Sequence, residues 1–276
     1  MRRLRGDSVW FKYFRGGPYC AECEMARPRV ALQLYSVRDD CAKDFFRTLE
    51  AVAEIGYEGV EFAGYYGKSA GEIRDKLSDL GLGIAGAHES IQNVTGTNFD
   101  STIRFNKELG NRSIVVPWLP PDIRAGKEGW KSAARLISEV AERAAAQGIQ
   151  VGYHNHKEEF TPVDGEYPWH IFFDNASPRV FMQLDTGNAL SAGIPEKMLT
   201  DVLRRYPGRS LTIHLKDYSR TRGFVLLGEG DVPFKDVVNT CLGVGGTEWL
   251  IVELETYPYP PLESVKRCLH NLRAII

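Results

Sequence analysis

Residues 128–156 read EGWKSAARLISEVAERAAAQGIQVGYHNH, and three signals follow one another along them. Over 128–147, Trp130, Ala133, Leu136, Ile137, Val140 and Ala144 recur at the third- or fourth-residue spacing that lays one face of a helix on a core. Gly148 then supplies the residue best suited to a left-handed helix cap. Residues 150–154 continue as a short strand, apolar in its body, which runs into His154-Asn155-His156. A unit of helix, glycine, strand and polar strand end predicts parallel strands joined by helical crossovers.

Working outward, the same unit repeats along the chain. Strands are predicted at 30–36, 59–62, 83–88, 113–117, 150–154, 180–185, 211–215 and 250–253. Helices are predicted near 43–55, 69–80, 99–109, 128–147, 195–206 and 260–273, with weaker patterns near 168–175 and 233–241. Gly56 and Gly81 mark two further passages from helix to strand. Eight strands alternating with about eight helices over roughly 250 residues predict an α/β protein, a single-domain (β/α)8 TIM barrel occupying 29–276. An open doubly wound sheet is the rival. Its Gly-x-Gly-x-x-Gly fingerprint is absent, as is a Gly-x-x-x-x-Gly-Lys-Ser/Thr phosphate loop.

The composition limits the partners. The 276 residues are 43% hydrophobic, too apolar for disorder, and 34 Lys+Arg against 36 Asp+Glu give a net charge of −2. That balance offers no general attraction to nucleic acid or acidic membranes, and no apolar run approaches the roughly 18 residues of a membrane span. With no secretory signal at the start, the expected location is the cytoplasm. A homo-oligomer is left open. Five scattered cysteines do not form a disulfide framework, and Cys20-Ala-Glu-Cys23, a lone pair, reads as two reduced thiols rather than a zinc site. Residues 1–28 are expected to be an N-terminal extension outside the barrel. Its first 24 residues read as upstream sequence before a natural initiator at Met25, or else as a small partner-binding arm.

In a TIM barrel the active site forms where the strands end. Those ends carry Gln33 and Tyr35, Glu61, His88, Trp118, His154-Asn155-His156, Asp185, His214, and Glu253 with Glu255 beyond. Strand alternation turns His214 away from Leu211, Ile213 and Leu215, sets His154 and His156 on one face, and opposes Glu253 to Val252 and Leu254. Asp185, His214, Glu253 and one strand-five group therefore make a mixed oxygen and nitrogen donor set suited to one divalent ion, Mn²⁺, Mg²⁺, Co²⁺ or Zn²⁺. Taken singly, each of these residues reads first as a satisfied rim residue; it is the four together that read as a metal site.

The motifs Gln33-Leu34-Tyr35-Ser36-Val37-Arg38, Gly56-Tyr57-Glu58-Gly59-Val60-Glu61, Tyr153-His154-Asn155-His156, Leu184-Asp185-Thr186-Gly187-Asn188, His214-Leu215-Lys216-Asp217, Gly228-Glu229-Gly230 and Ile251-Val252-Glu253 stand in this order. From about residue 29 to 276 the chain resembles the sugar phosphate isomerase/epimerase superfamily. These are xylose-isomerase-like TIM barrels that include ketose 3-epimerases and inosose dehydratases. The resemblance implies one metal held by Glu, Asp, His and Glu at the ends of strands five to eight, and Asp185, His214 and Glu253 match directly. Strand five departs, with His154-Asn155-His156 where many members read Glu-Asn-His. Either His154 takes the ligand role or Glu159 reaches the metal while the histidines carry protons.

The implied activity is metal-dependent isomerisation or epimerisation of a keto-sugar or polyol, by proton abstraction next to the carbonyl through an enediolate. Glu253, Glu159 and His156 are the candidate bases. A lyase acting on an inosose or a 3-keto-glycoside is the alternative from the same site. Candidate substrate contacts are Gln33, Tyr35, Glu61, His88, Trp118, Asn188, Lys216 and Glu229. All but Gln33 have a plainer reading beside them: Lys216 paired with Asp217 at a rim, Asn188 capping the next helix, Glu229 simply exposed, His88 and Glu61 in a structural network, Tyr35 and Trp118 in packing.

Overall fold

The computed structural model describes residues 27–276, so residues 1–26 of the proposed extension, with Cys20, Cys23 and Met25, lie outside the described residues. Among the described residues ten strands form: β1 Arg29–Gln33, β2 Gly59–Phe62, β3 Gly83–His88, β4 Ser113–Val116, β5 Gln150–His154, β6 Val180–Asp185, β7 Thr212–Leu215, β8 Asp217–Ser219, β9 Gly223–Val225 and β10 Trp249–Val252. Eight of them, β1 to β7 and β10, pair in parallel as a closed barrel, with β1 joined to both β2 and β10. Between them run Phe45–Ile55, Ala70–Leu80, Phe99–Leu109, Gly126–Ala145, Pro168–Asn175, Lys197–Arg205, Phe234–Val244 and, after β10, Pro261–Ile275. Among the described residues no helix is long and apolar enough to cross a membrane.

Local chemistry sets these boundaries. Ser69 caps Ala70–Leu80 through a reciprocal pair with Glu72, and Gly56, Gly81 and Gly110 close three helices in the left-handed conformation. Two predicted boundaries move. Strand one was expected to run to residue 36, but it ends at Gln33, whose side chain accepts from the Tyr35 N–H at 3.1 Å and turns Leu34–Val37 into a 3-10 helix. The helix expected from 43 to 55 starts at Phe45, where Asp44 caps it, and a separate short helix, Arg38–Lys43, precedes it. The antiparallel ribbon β8–β9 was not foreseen; its three-residue strands carry no periodic signal.

Helix faces and outward strand residues share one large apolar core, in which Trp130, Ile137, Val140 and Ala144 of the long helix are buried as its periodicity predicts. Inside the barrel, Trp249 and Phe181 fill the end opposite the site, and Gly59, Gly83 and Gly152 make room for them. A Cβ built on Gly59 would stand 2.5 Å from the Trp249 ring, and one on Gly152 2.4 Å from the Phe181 ring. Above this floor the register aligns His154 with Gln183, Gln183 with Thr212, and Asp185 with His214.

Candidate active site

Closure brings the strand ends to one mouth. His154, Asp185, His214 and Glu253, from or just beyond four successive barrel strands, are all buried, and each offers a donor atom within 4.8 Å of the others. His214 Nδ1 lies 3.0 Å from Glu253 Oε2 and 4.0 Å from Asp185 Oδ2, and His154 Nε2 also lies 4.0 Å from Asp185 Oδ2. The other His214 nitrogen, Nε2, donates to Glu61 Oε2 at 2.6 Å, which leaves the Nδ1 side for a ligand role. Asp185 Oδ1 accepts the Asn188 N–H at 2.7 Å, whereas Oδ2 is buried with no hydrogen-bond partner. An orphaned carboxylate oxygen facing two imidazoles and a second carboxylate is a donor set that fits a divalent cation.

The electrostatics agree. Burial pushes the Asp185 carboxyl up to about 8, against the pull of Lys216. Burial opposes charge on His214 too, but Glu61 and Glu253 outweigh it and raise the imidazole to about 10. Glu61 and Glu253 are held below the usual carboxylate range despite burial, the first by His88 and His214, the second by Lys216 and His214. Burial and the neighbouring histidines lower His154, and burial lowers His156. A bound cation would take over the counter-charge that His214 supplies when protonated.

Beside the cluster lies a cavity of about 330 Å³ walled by His88, His154, His156, Glu253 and Glu255, with Tyr35 and Trp118 at its mouth, 42% and 43% exposed. Among the described residues, neither arginine nor lysine lines it. Other candidates stand elsewhere. Gln33 is fully buried and donates to Glu61 at 2.7 Å, so its amide is tied below the cavity. Glu159 lies outside the cluster: its carboxylate accepts the Tyr153 hydroxyl and the His156 N–H, each at 2.7 Å, and so pins the strand-five turn. Asn188 donates its side chain to the Asn155 carbonyl at 3.2 Å, and the residue that caps the following helix is Asp185, not Asn188. Glu229 is exposed beside Arg222 and off the cavity wall.

Lys216 is buried and does not pair with Asp217. It bonds Glu255 and lies 3.5 Å from Glu253 and 3.8 Å from Asp185, which together keep it charged despite burial. Asp217 instead accepts backbone N–H groups of Tyr218, Gly228, Gly230 and Val232, shaping the loop after β9. Gln183 was not anticipated. It sits two residues before Asp185 on the same strand face, so the two-residue alternation of a strand, applied to Val180–Asp185, was the available signal.

The family model described as "Xylose isomerase-like TIM barrel" matches residues 49–275. The chain belongs to this family. Among relatives, it is 25% identical to the rhizopine catabolism protein MocC of Rhizobium meliloti, over 81% of this chain and 79% of that one. It is 27% identical to an inosose dehydratase of Clostridium tetani, over 78% and 83%. Solved structures share the fold. A sugar phosphate isomerase/epimerase from Parabacteroides distasonis superposes with a TM-score of 0.74 at 24% identity, covering 91% of this chain and 96% of that one. The IolI protein with a bound zinc atom superposes with a TM-score of 0.71 at 14% identity, covering 90% and 99%.

Proposed function

We propose that this chain is a divalent-metal-dependent enzyme that removes the proton next to the carbonyl of an uncharged keto-sugar or keto-polyol. The observation that carries the reading is the convergence of His154, Asp185, His214 and Glu253 on one point, with Asp185 Oδ2 left without a partner. A cation held by these four would act as a Lewis acid on the carbonyl and its neighbouring hydroxyl. Among the described residues the cavity wall carries no lysine or arginine, which argues for a substrate without phosphate.

The protein's own groups divide the proton work. His156, on the cavity wall, is kept neutral near pH 7 because burial lowers it, so its imidazole is available to accept the proton from carbon. Glu159 holds its backbone through the His156 N–H and acts as a positioning residue. On the far side Glu255, bonded to the charged Lys216, closes the wall beside Glu253. This is an uneven pair, a neutral base against an ammonium–carboxylate acid, where epimerisation asks for two matched groups that exchange one proton. It suits loss of a β-hydroxyl, which needs a base at carbon and an acid at the leaving oxygen. The inosose dehydratase relatives support the same outcome.

The test is incubation of the metal-loaded protein with inosose and with free keto-sugars in D₂O. The proposal expects a new absorbance from an enone or diketone with inosose. Deuterium exchange next to the carbonyl without loss of water would replace dehydration by isomerisation, and neither signal with any substrate would overturn the reading.

A further inference from the structure

We infer that Gln183 is a positioning residue that fixes the tautomer of His154, and thereby decides which ring nitrogen of His154 faces the carboxylates of the proposed metal site. The amide has one acceptor and two donor hydrogens, so its four contacts permit one orientation. Its Nε2 lies 2.7 Å from Glu61 Oε1 and 2.8 Å from Thr212 Oγ1. An ionised carboxylate only accepts, and the reversed amide would set two acceptor oxygens against each other at that distance. The Gln183 nitrogen therefore belongs on the Glu61 side, and its Oε1 must face the histidines.

That oxygen lies 3.0 Å from His154 Nδ1 and 2.8 Å from His88 Nε2. It can only accept, so both ring nitrogens must carry hydrogen. Glu61 Oε2, 3.2 Å from His88 Nε2, is another acceptor and imposes the same state on His88. A neutral His154 with its hydrogen on Nδ1 keeps the lone pair on Nε2, the atom 4.0 Å from the unpartnered Asp185 Oδ2. The opposite tautomer would turn an N–H toward the ligand point and remove a donor. Gln183 is fully buried in the lumen, bracketed in register by His154 and Thr212, so its amide has no water to fall back on.

The inference rests on the metal reading above for its function, but the tautomer is a property of the metal-free chain and is tested separately. Long-range ¹H–¹⁵N correlations of the histidine rings, on the full chain without metal, are assigned for His154 with a His154→Gln variant. The expected result is hydrogen on Nδ1 of His154; hydrogen on Nε2 would overturn the inference, and this needs no variant of Gln183. Zinc titration by calorimetry supplies the second readout. Gln183→Met, which removes the acceptor, is expected to lose the single tautomer and weaken zinc binding by about 10- to 100-fold. Gln183→Glu keeps an acceptor toward the histidines, with a proton on its far oxygen serving Glu61, and is expected to retain the tautomer and bind closer to wild type. A Gln183→Met protein with the wild-type tautomer and zinc affinity would also overturn it. Wild-type protein that shows the Nδ1–H tautomer but binds no zinc would sink the metal reading and leave the assignment of Gln183 standing.

Discussion

Glu61 shows how much of the site depends on residues that never reach the cavity. Its Oε2 accepts from His214 Nε2 and Gln33 Nε2 and its Oε1 from Gln183 Nε2, so a single buried carboxylate orients three side chains. In Glu61→Gln the new NH₂ faces a donor that has lost its acceptor, His214 or Gln183, and one support of the two histidine rings at the site is removed. The expected outcome is about 10- to 100-fold weaker divalent-metal binding in calorimetry, with the far-ultraviolet circular dichroism retained. Asp185→Asn should cost more than this in the same titration, since it replaces an anionic donor oxygen rather than its support. Equal losses for the two variants would argue that Asp185 is not a ligand.

At the scale of the element, two substitutions separate a surface cap from barrel packing. Ser69 accepts the Glu72 N–H at 3.3 Å while the Glu72 side chain accepts the Ser69 N–H at 2.9 Å. Ser69→Ala breaks this exposed box and is expected to cost about 1 kcal/mol in urea unfolding, with substrate turnover unchanged. Gly152→Ala acts inside the barrel, where its Cβ would meet the backed-in Phe181 ring at 2.4 Å. The strand or the ring must shift, for an expected loss of about 1–3 kcal/mol in the same assay. Because β5 carries His154 only two residues further on, metal affinity should fall with it. A Gly152→Ala protein as stable as wild type would show that the floor is looser than the contacts imply.

For the whole molecule, buried neutral acids set the alkaline limit. Burial raises the thiols of Cys41 to about 12 and of Cys241 and Cys268 to about 11, and raises the Tyr57 hydroxyl as well. A thiol with a raised folded value keeps its proton in the native state after the unfolded chain has released it. Its contribution is therefore fully present below the ordinary value near 9 and is lost as pH climbs toward the folded one. Each thiol should cost on the order of 1 kcal/mol per pH unit in that window. His214, raised to about 10, and Asp185, raised to about 8, likewise keep protons that the unfolded chain has released, so stability to thermal unfolding is expected to fall already between pH 7 and 9 and more steeply beyond, where the thiols join them; a flat profile to pH 11 would contradict the burial of these groups.

The sequence by itself determined the barrel and the polar ends of its strands, because helix and strand periods, glycine caps and the passage from apolar body to ionisable end are local patterns. His154, Asp185, His214 and Glu253 were legible for that reason, each as a strand-end residue on the lumen side. Only the tertiary structure decided that Lys216 answers to Glu255 and not to its neighbour Asp217, that Glu159 supports a turn, and that Gln183 sits between two histidines. Those pairings depend on closure, which sets His214 against Glu61 across 153 residues of chain. Spacing along one strand says which face a side chain takes. It says nothing of which atom waits on the strand opposite, and in a buried polar site that atom fixes each proton.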